Sequence, residues 1–362
     1  MSTFAAEIIT RQAMKTFITT ALVSLAAATA MAQETKAETA TEQKSEAQPT
    51  MNIHGTIRSK YELQTEEGEH RFEVRNARVS IDGSLSPIIY YKAEIDLCDE
   101  GKIKMLDAYT RLKPWQTMQF TIGQMRVPFT IDAHRSPHQQ YFANRSFIAK
   151  QVGNVRDVGA TLGYTFNVGF PIILEAGMFN GSGLTDQKDF WTNNINYSAK
   201  AQLFFPKGFN LTLSVQKIKP EAVNIMMYDA GAYYHGSGWH VEAEYLYKHY
   251  ADNAYGAVHS FDGFVNYDIK VGGKKPLVKK VSPLARFDYM SDHSDGTADA
   301  ETGLLNTTDY RRSRITGGVT LSLGTPFVSD IRLNYEKYFY REGAVAKPSE
   351  RDKIVIEFMT RF

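Results

Sequence analysis

Residues 238–250 read GWHVEAEYLYKHY. Val241, Ala243, Tyr245 and Tyr247 fall on one side of an extended chain, and His240, Glu242 and Glu244 on the other. A period of two is the signature of a β-strand with one apolar and one polar face. Upstream, Tyr91, Ala93, Ile95 and Leu97 alternate with Lys92, Glu94 and Asp96, and Leu211, Leu213 and Val215 with Thr212, Ser214 and Gln216. Downstream, Ile315, Val319 and Leu321 alternate with Arg314, Thr316 and Thr320. The last segment sets Ile354, Ile356, Phe358 and Phe362 against Lys353, Glu357 and Arg361. Gly, Pro, Asn and Asp bound the segments, as turns require.

Sixteen such segments follow Met51: 51–63, 70–83, 87–98, 102–113, 116–126, 155–167, 170–179, 196–206, 209–217, 224–235, 238–250, 258–269, 281–290, 310–323, 328–340 and 351–362. No comparable helical period occurs among them. In a soluble sandwich the apolar faces would meet in a core; in a membrane barrel they would face lipid and the polar faces would line a lumen. The polar faces here carry many charges of both signs. Aromatics cluster near segment ends, at Tyr61, Tyr90, Trp115, Tyr164 with Phe166, Phe204 with Phe205, Trp239, Tyr338 with Tyr340, and Phe362, which suits interfacial girdles. The pattern predicts an all-β fold, a 16-stranded antiparallel transmembrane β-barrel over 51–362.

The remainder of the chain agrees. Met14–Gln33 reads MKTFITTALVSLAAATAMAQ, with Lys15 before a mildly apolar run and Ala30-Met31-Ala32 as a cleavage signal. Residues 1–32 are read as an export signal with a second start at Met14, and 33–50 as a disordered, acidic leader. Export and a barrel place the protein in the outer membrane of a Gram-negative bacterium, with membrane lipid as a partner. Lys+Arg number 41 and Asp+Glu 40. Removing the signal, with Arg11, Lys15 and Glu7, leaves a mature chain of zero net charge. That balance argues against nucleic acid. One cysteine, Cys98, excludes an internal disulfide.

Connection lengths alternate. Ser84-Leu85-Ser86, Lys113-Pro114-Trp115, Asn167-Val168-Gly169, Pro206-Lys207-Gly208, His235-Gly236-Ser237 and the stretch 324–327 are read as tight turns; 127–154, 180–195, 291–309 and 341–350 are long. Residues 270–280, KVGGKKPLVKK, break the pattern on the short side. Outer-membrane barrels keep short turns periplasmic and long loops extracellular, which makes 127–154 the third extracellular loop (L3).

Gly123-Gln124-Met125-Arg126-Val127-Pro128-Phe129 resembles the G-Q-x-K/R-x-P-F motif of the phosphate-selective porin O and P family. Asn144-Arg145-Ser146 and Arg156-Asp157-Val158-Gly159 are similar to its E-R-S and R-D-x-G elements, and Arg75-Asn76-Ala77-Arg78 and Leu106-Asp107-Ala108-Tyr109 to its R-x-A-R and D-A-Y elements. The resemblance covers 71–165. It implies an outer-membrane homotrimer that passes small anions, phosphate among them, by passive diffusion past an L3 folded into the lumen. Asn144 stands where the family often has Glu, and members with a basic pore lining differ from this neutral chain.

Between Arg126 and Arg156 the bases are Arg126, Arg135, Arg145, Lys150 and Arg156, and the one acid is Asp132, an excess of four. Such a ring raises local anion concentration, and Arg grips phosphate or carboxylate through two donors. These five are the candidate constriction residues, with at least half expected to pin the loop to acids such as Glu94, Asp96 or Asp107. Arg75, Arg78, Lys92, Glu94, Asp107 and Arg314 are expected on the lumen wall. No cofactor, metal or catalytic group is expected. Pro137 breaks the helix that a His134–His138 metal pair would need, leaving both exposed on a loop. Asp292, Asp295, Asp299 and Glu301 read as a solvated loop tip. Two other functions stand beside the porin: a barrel enzyme, lipase- or protease-like, using His249 with Asp252 or Asp292 with His293, and a plugged structural barrel.

Overall fold

The computed structural model describes residues 48–152, 155–184, 187–220, 223–273, 276–324 and 328–362. The export signal and residues 33–47 of the leader lie outside the described residues, as do 325–327 of one short turn.

Sixteen strands follow in order: β1 (Asn52–Gln64), β2 (His70–Ser86), β3 (Ile89–Asp99), β4 (Lys102–Trp115), β5 (Met118–Arg126), β6 (Arg156–Asn167), β7 (Pro171–Phe179), β8 (Asn196–Phe204), β9 (Phe209–Ile218), β10 (Ile225–Gly236), β11 (Trp239–Tyr250), β12 (Val258–Tyr267), β13 (Val278–Met290), β14 (Arg312–Leu323), β15 (Val328–Tyr340) and β16 (Lys353–Arg361). Each pairs antiparallel with the next, and β12 resumes beyond Asp268 in Ile269–Lys270, which also pairs with β13. β1 pairs with β16 from Thr56↔Arg361 to Gln64↔Lys353, so the sheet closes on itself. Closure leaves no strand edge, the condition for a β-structure in lipid. Among the described residues no helix is long and apolar enough to cross a membrane.

The faces decide between sandwich and barrel. On β11, Val241 and Tyr245 are 45% and 43% exposed, while Glu242 and Glu244 are 2% and 1% exposed. Leu213, Leu97, Ile315 and Phe358 likewise face outward, and Thr212, Asp96, Arg314 and Glu357 inward. Polar side chains are inside and apolar ones outside, the inverse of a soluble core and the arrangement of a membrane barrel.

Three tight turns sit further along the chain than expected, the third at Ser237-Gly238 because His235 and Gly236 belong to β10. Ser84–Ser86 belongs to β2 and Lys113–Trp115 to β4; the turns are Pro87-Ile88 and Gln116-Thr117. Pro114 is accommodated because the β4–β5 register shifts between Leu112 and Trp115, so no ladder N–H is needed there. The aromatic girdle also needs correction. Trp239 packs with Tyr267, and Tyr164 with Phe166, on the outer surface. Tyr338, 7% exposed, faces inward instead, because it shares the phase of Asn334 and Glu336, and its hydroxyl donates to Glu336 (2.8 Å). Phe204 shares the inward phase of Lys200 and borders an interior cavity.

Candidate functional site

L3 leaves β5 and returns to β6 through the inside of the barrel. Its contacts establish this, because the side chains it meets are inward-facing residues of strands on several sides of the lumen. Ser198 on β8 donates to Pro128 O (2.6 Å), and Lys200 donates to Thr130 O. On β11, Glu244 accepts from the backbone N–H groups of Ile131 and Asp132. Asp288 on β13 accepts from Phe147 N (3.3 Å), and Asn334 on β15 from Ala143 N (2.9 Å). Arg58 on β1 donates to Ala143 O and Gln140 Oε1, both at 2.8 Å. A loop inside a barrel must satisfy its backbone this way.

Within L3, two 3₁₀ turns, Asp132–His134 and Pro137–Gln139, precede a short helix, α1 (Phe147–Gln151). Ser146 caps α1, its hydroxyl accepting from Ala149 N (3.2 Å). Asp132 accepts from both Ser146 N (3.0 Å) and Ser146 Oγ (2.9 Å), tying the two halves of the loop together. Burial alone would raise the Asp132 carboxyl, but Arg145 and Arg135 hold it down to about 2. Phe147 and Ile148 are fully buried in an apolar cluster with Met227, Leu246 and Met290 of the wall. Each such side chain contributes about 1.5–3 kcal/mol.

The motif residues have mechanical roles. Gly123 and Gly159 face each other across β5 and β6. Gly123 has φ +130°, and a Cβ there would meet Ala108 O at 2.3 Å; one on Gly159 would meet Met178 O at 2.1 Å. Gln124 donates to Met105 O (2.7 Å) and Leu106 O (2.8 Å), closing an irregularity in β4. Asp157 accepts from Gly181 N (2.7 Å) and Gly183 N (3.1 Å), anchoring the next long loop.

The five loop cations are placed unequally. Arg156 is 7% exposed and bonds Asp107 (2.6 Å) and Glu94 (3.2 Å), which also take Lys92 (2.7 and 2.8 Å). Arg78 sits 3.5 Å from the same Glu94 and 2.8 Å from Asp96. Arg126 donates to His134 O (2.6 Å) and Ser136 Oγ (3.3 Å). Arg145 donates to Asp132 O and Arg135 O, the carbonyls of its own loop. Arg135 pairs with Glu242 and borders a cavity of about 760 Å³ on the turn side of L3. Lys150 lies 3.5 Å from Glu350 and borders a cavity of about 280 Å³ on the long-loop side. Of the wall residues, Arg314 is a clamp, fully buried on Asp288 (2.9 Å), Glu336 (3.4 Å) and Arg145 O (2.8 Å). Arg75 stands at the rim, where it bonds Asp99 (2.6 Å) at the end of β3.

Periodicity did not reveal that acids on β11 and β13 receive L3, nor the cations across the larger cavity. That cavity is bordered by Arg135, Lys200, Lys280 and Arg332 against Asp268 and Asp330. Glu242 and Glu244 were visible in the strand quoted first; their partnership with L3 was not. His134 and His138 border the same cavity and are half-buried rather than exposed, because L3 turns inward. Burial, with Arg361 and Arg126 near it, lowers His138 to about 4. Among the described residues, Glu242, Glu244 and Asp262 are the group whose carboxylate oxygens, within 4.8 Å of one another, could hold an ion; Arg135 and the L3 backbone already donate to Glu242 and Glu244. Asp292 accepts from Arg311 N (2.7 Å) and Arg341 (3.0 Å), while His293 receives Lys248 (2.8 Å), so those two neighbours do not form a catalytic pair. His249 lies in the outward phase of β11.

A closed barrel of sixteen strands, apolar outside, charged inside and crossed by an inward loop, is the architecture of a porin. The family model for phosphate-selective porin O and P matches residues 50–259, and the chain belongs to that family. It is an outer-membrane porin. No curated protein matches the sequence. Among solved structures it is similar to an anion-selective porin from Comamonas acidovorans, at TM-score 0.60 and 12% identity, covering 87% of this chain and 99% of that one. It is similar also to OmpT of Vibrio cholerae (0.59, 11%, 89% and 99%) and to the outer membrane channel DcaP of Acinetobacter baumannii (0.56, 13%, 88% and 98%).

Proposed function

We propose that the protein passes small anions, phosphate among them, by diffusion through a lumen constricted by L3, without chemistry or energy coupling. The observation that carries this is the cavity beneath L3, bordered by Arg135, Lys200, Lys280 and Arg332 and by Asp268 and Asp330, with Glu242 behind Arg135 and Glu357 behind Arg332. Cations lining a low-dielectric channel concentrate anions where they reach its water. Arg135 below L3 and Lys150 above it present charge to the passage. Arg126, Arg145 and Arg156 add to the field from behind while holding the loop. The protein is exported through the periplasm after loss of residues 1–32, and it sits in lipid as a homotrimer with the long loops outside. The Comamonas porin, described as anion-selective, has the same fold and supports the reading by analogy.

The test is a charge change at the two presented positions. Arg135→Gln with Lys150→Gln should move the reversal potential in a KCl gradient toward cations. An unchanged potential in the folded double variant would remove both from the eyelet. A plugged barrel is the second reading, favoured by the apolar seat of Phe147 and Ile148 inside the lumen. It predicts a folded, heat-modifiable protein with no conductance.

A further inference from the structure

A rank of rings stands on one side of the larger cavity. His240 stacks on Tyr141 at 4.6 Å between centroids and 21° between planes, and on Tyr233 at 5.4 Å and 28°. Phe264 backs His240 at 5.3 Å and 26°. His240 and Phe264 are buried, whereas Tyr141 and Tyr233 are half-buried and border the cavity. The Arg135 guanidinium lies 5.4 Å from the centre of the Tyr141 ring. Lys200 and Arg332 stand behind the same space, buried and held by Thr130 O and Glu357.

Barrel lumens are lined by polar groups, and aromatic rings left partly exposed there, as Tyr141 and Tyr233 are, are a cost. Tyr141 comes from L3 and Tyr233 from β10, so the fold brings the rings together from separate elements. Inorganic phosphate would use only the cations. A solute with a flat ring and an anionic group would use both, offset-stacking on a tyrosine face while its oxygens meet a guanidinium. We propose that this wall is a binding subsite for aromatic anions, a planar ring bearing a carboxylate or phosphate. The proposal rests on the anion-pore reading above.

The test is block of the KCl current through the purified protein in planar bilayers by benzoate, cyclohexanecarboxylate and acetate. Benzoate and cyclohexanecarboxylate share charge and approximate size, and differ in the π-face. Benzoate should reach half-block at a concentration about 3- to 10-fold lower than cyclohexanecarboxylate, the range expected for one stacked ring. Tyr233→Phe should keep that ratio, and Tyr233→Leu, which removes the π-face, should lower it toward one. Equal block by benzoate and cyclohexanecarboxylate in the wild type would overturn the proposal, as would an undiminished ratio in Tyr233→Leu. Either result with an anion-directed reversal potential leaves the anion pore standing; a cation-directed potential would sink the pore reading itself.

Discussion

At the scale of single residues, position in L3 decides what a charge does. Asn144 shows why a neutral side chain suits its place. Its amide donates to Glu336 (3.0 Å) and its oxygen accepts from Lys60 (3.3 Å). A glutamate there would set a second carboxylate against Glu336. Asn144→Glu should weaken the seating of L3 by about 1–3 kcal/mol, visible as a lower unfolding temperature on heat-modifiability gels and as noisier single-channel current. Lys150 carries the pH dependence. Desolvation by the surrounding protein, opposed by Glu350, lowers its pKa to about 8, although a third of the side chain stays exposed. The ammonium is charged below that pH and neutral above it, so anion preference should fall between pH 7 and pH 9. Lys150→Arg, charged throughout, should flatten the change; a wild-type reversal potential constant over that range would show that Lys150 contributes no charge to the passage.

At the scale of elements, the strands were legible and their partners across the lumen were not. Period-two alternation placed every strand end within about three residues, because an inward–outward switch leaves its mark in the local sequence. Turns were less legible. Ser84–Ser86 reads as a turn by composition, yet β2 runs through it to reach Pro87. Tyr338 reads as a girdle residue by its place near a strand end, and only its phase with Glu336 reveals its inward position. The excess of charge in L3 was also plain, but Arg145 on its own loop carbonyls and Glu244 under Ile131 depend on residues that meet only in three dimensions. The β5–β6 seam at the loop's base makes a sharp prediction. Gly123→Ala forces a side chain into Ala108 O at a positive φ and should cost about 1–3 kcal/mol or more, with loss of heat-modifiable barrel on refolding. Gly317→Ala, with open space around its Cβ position, should refold as wild type.

At the scale of the whole molecule, sixteen paired strands leave a charged interior sealed from lipid by an apolar exterior, and one loop divides that interior. The sequence carried the architecture because each strand repeats one simple rule. The near balance of 41 Lys+Arg and 40 Asp+Glu hides an uneven distribution, with five of the cations and one of the acids between Arg126 and Arg156. The most direct measurement is planar-bilayer conductance of the refolded protein in a KCl gradient at neutral pH. Stepwise, ohmic channels with a reversal potential displaced toward that of chloride are the predicted result. A folded barrel without conductance, or a potential displaced toward that of potassium, would contradict the account.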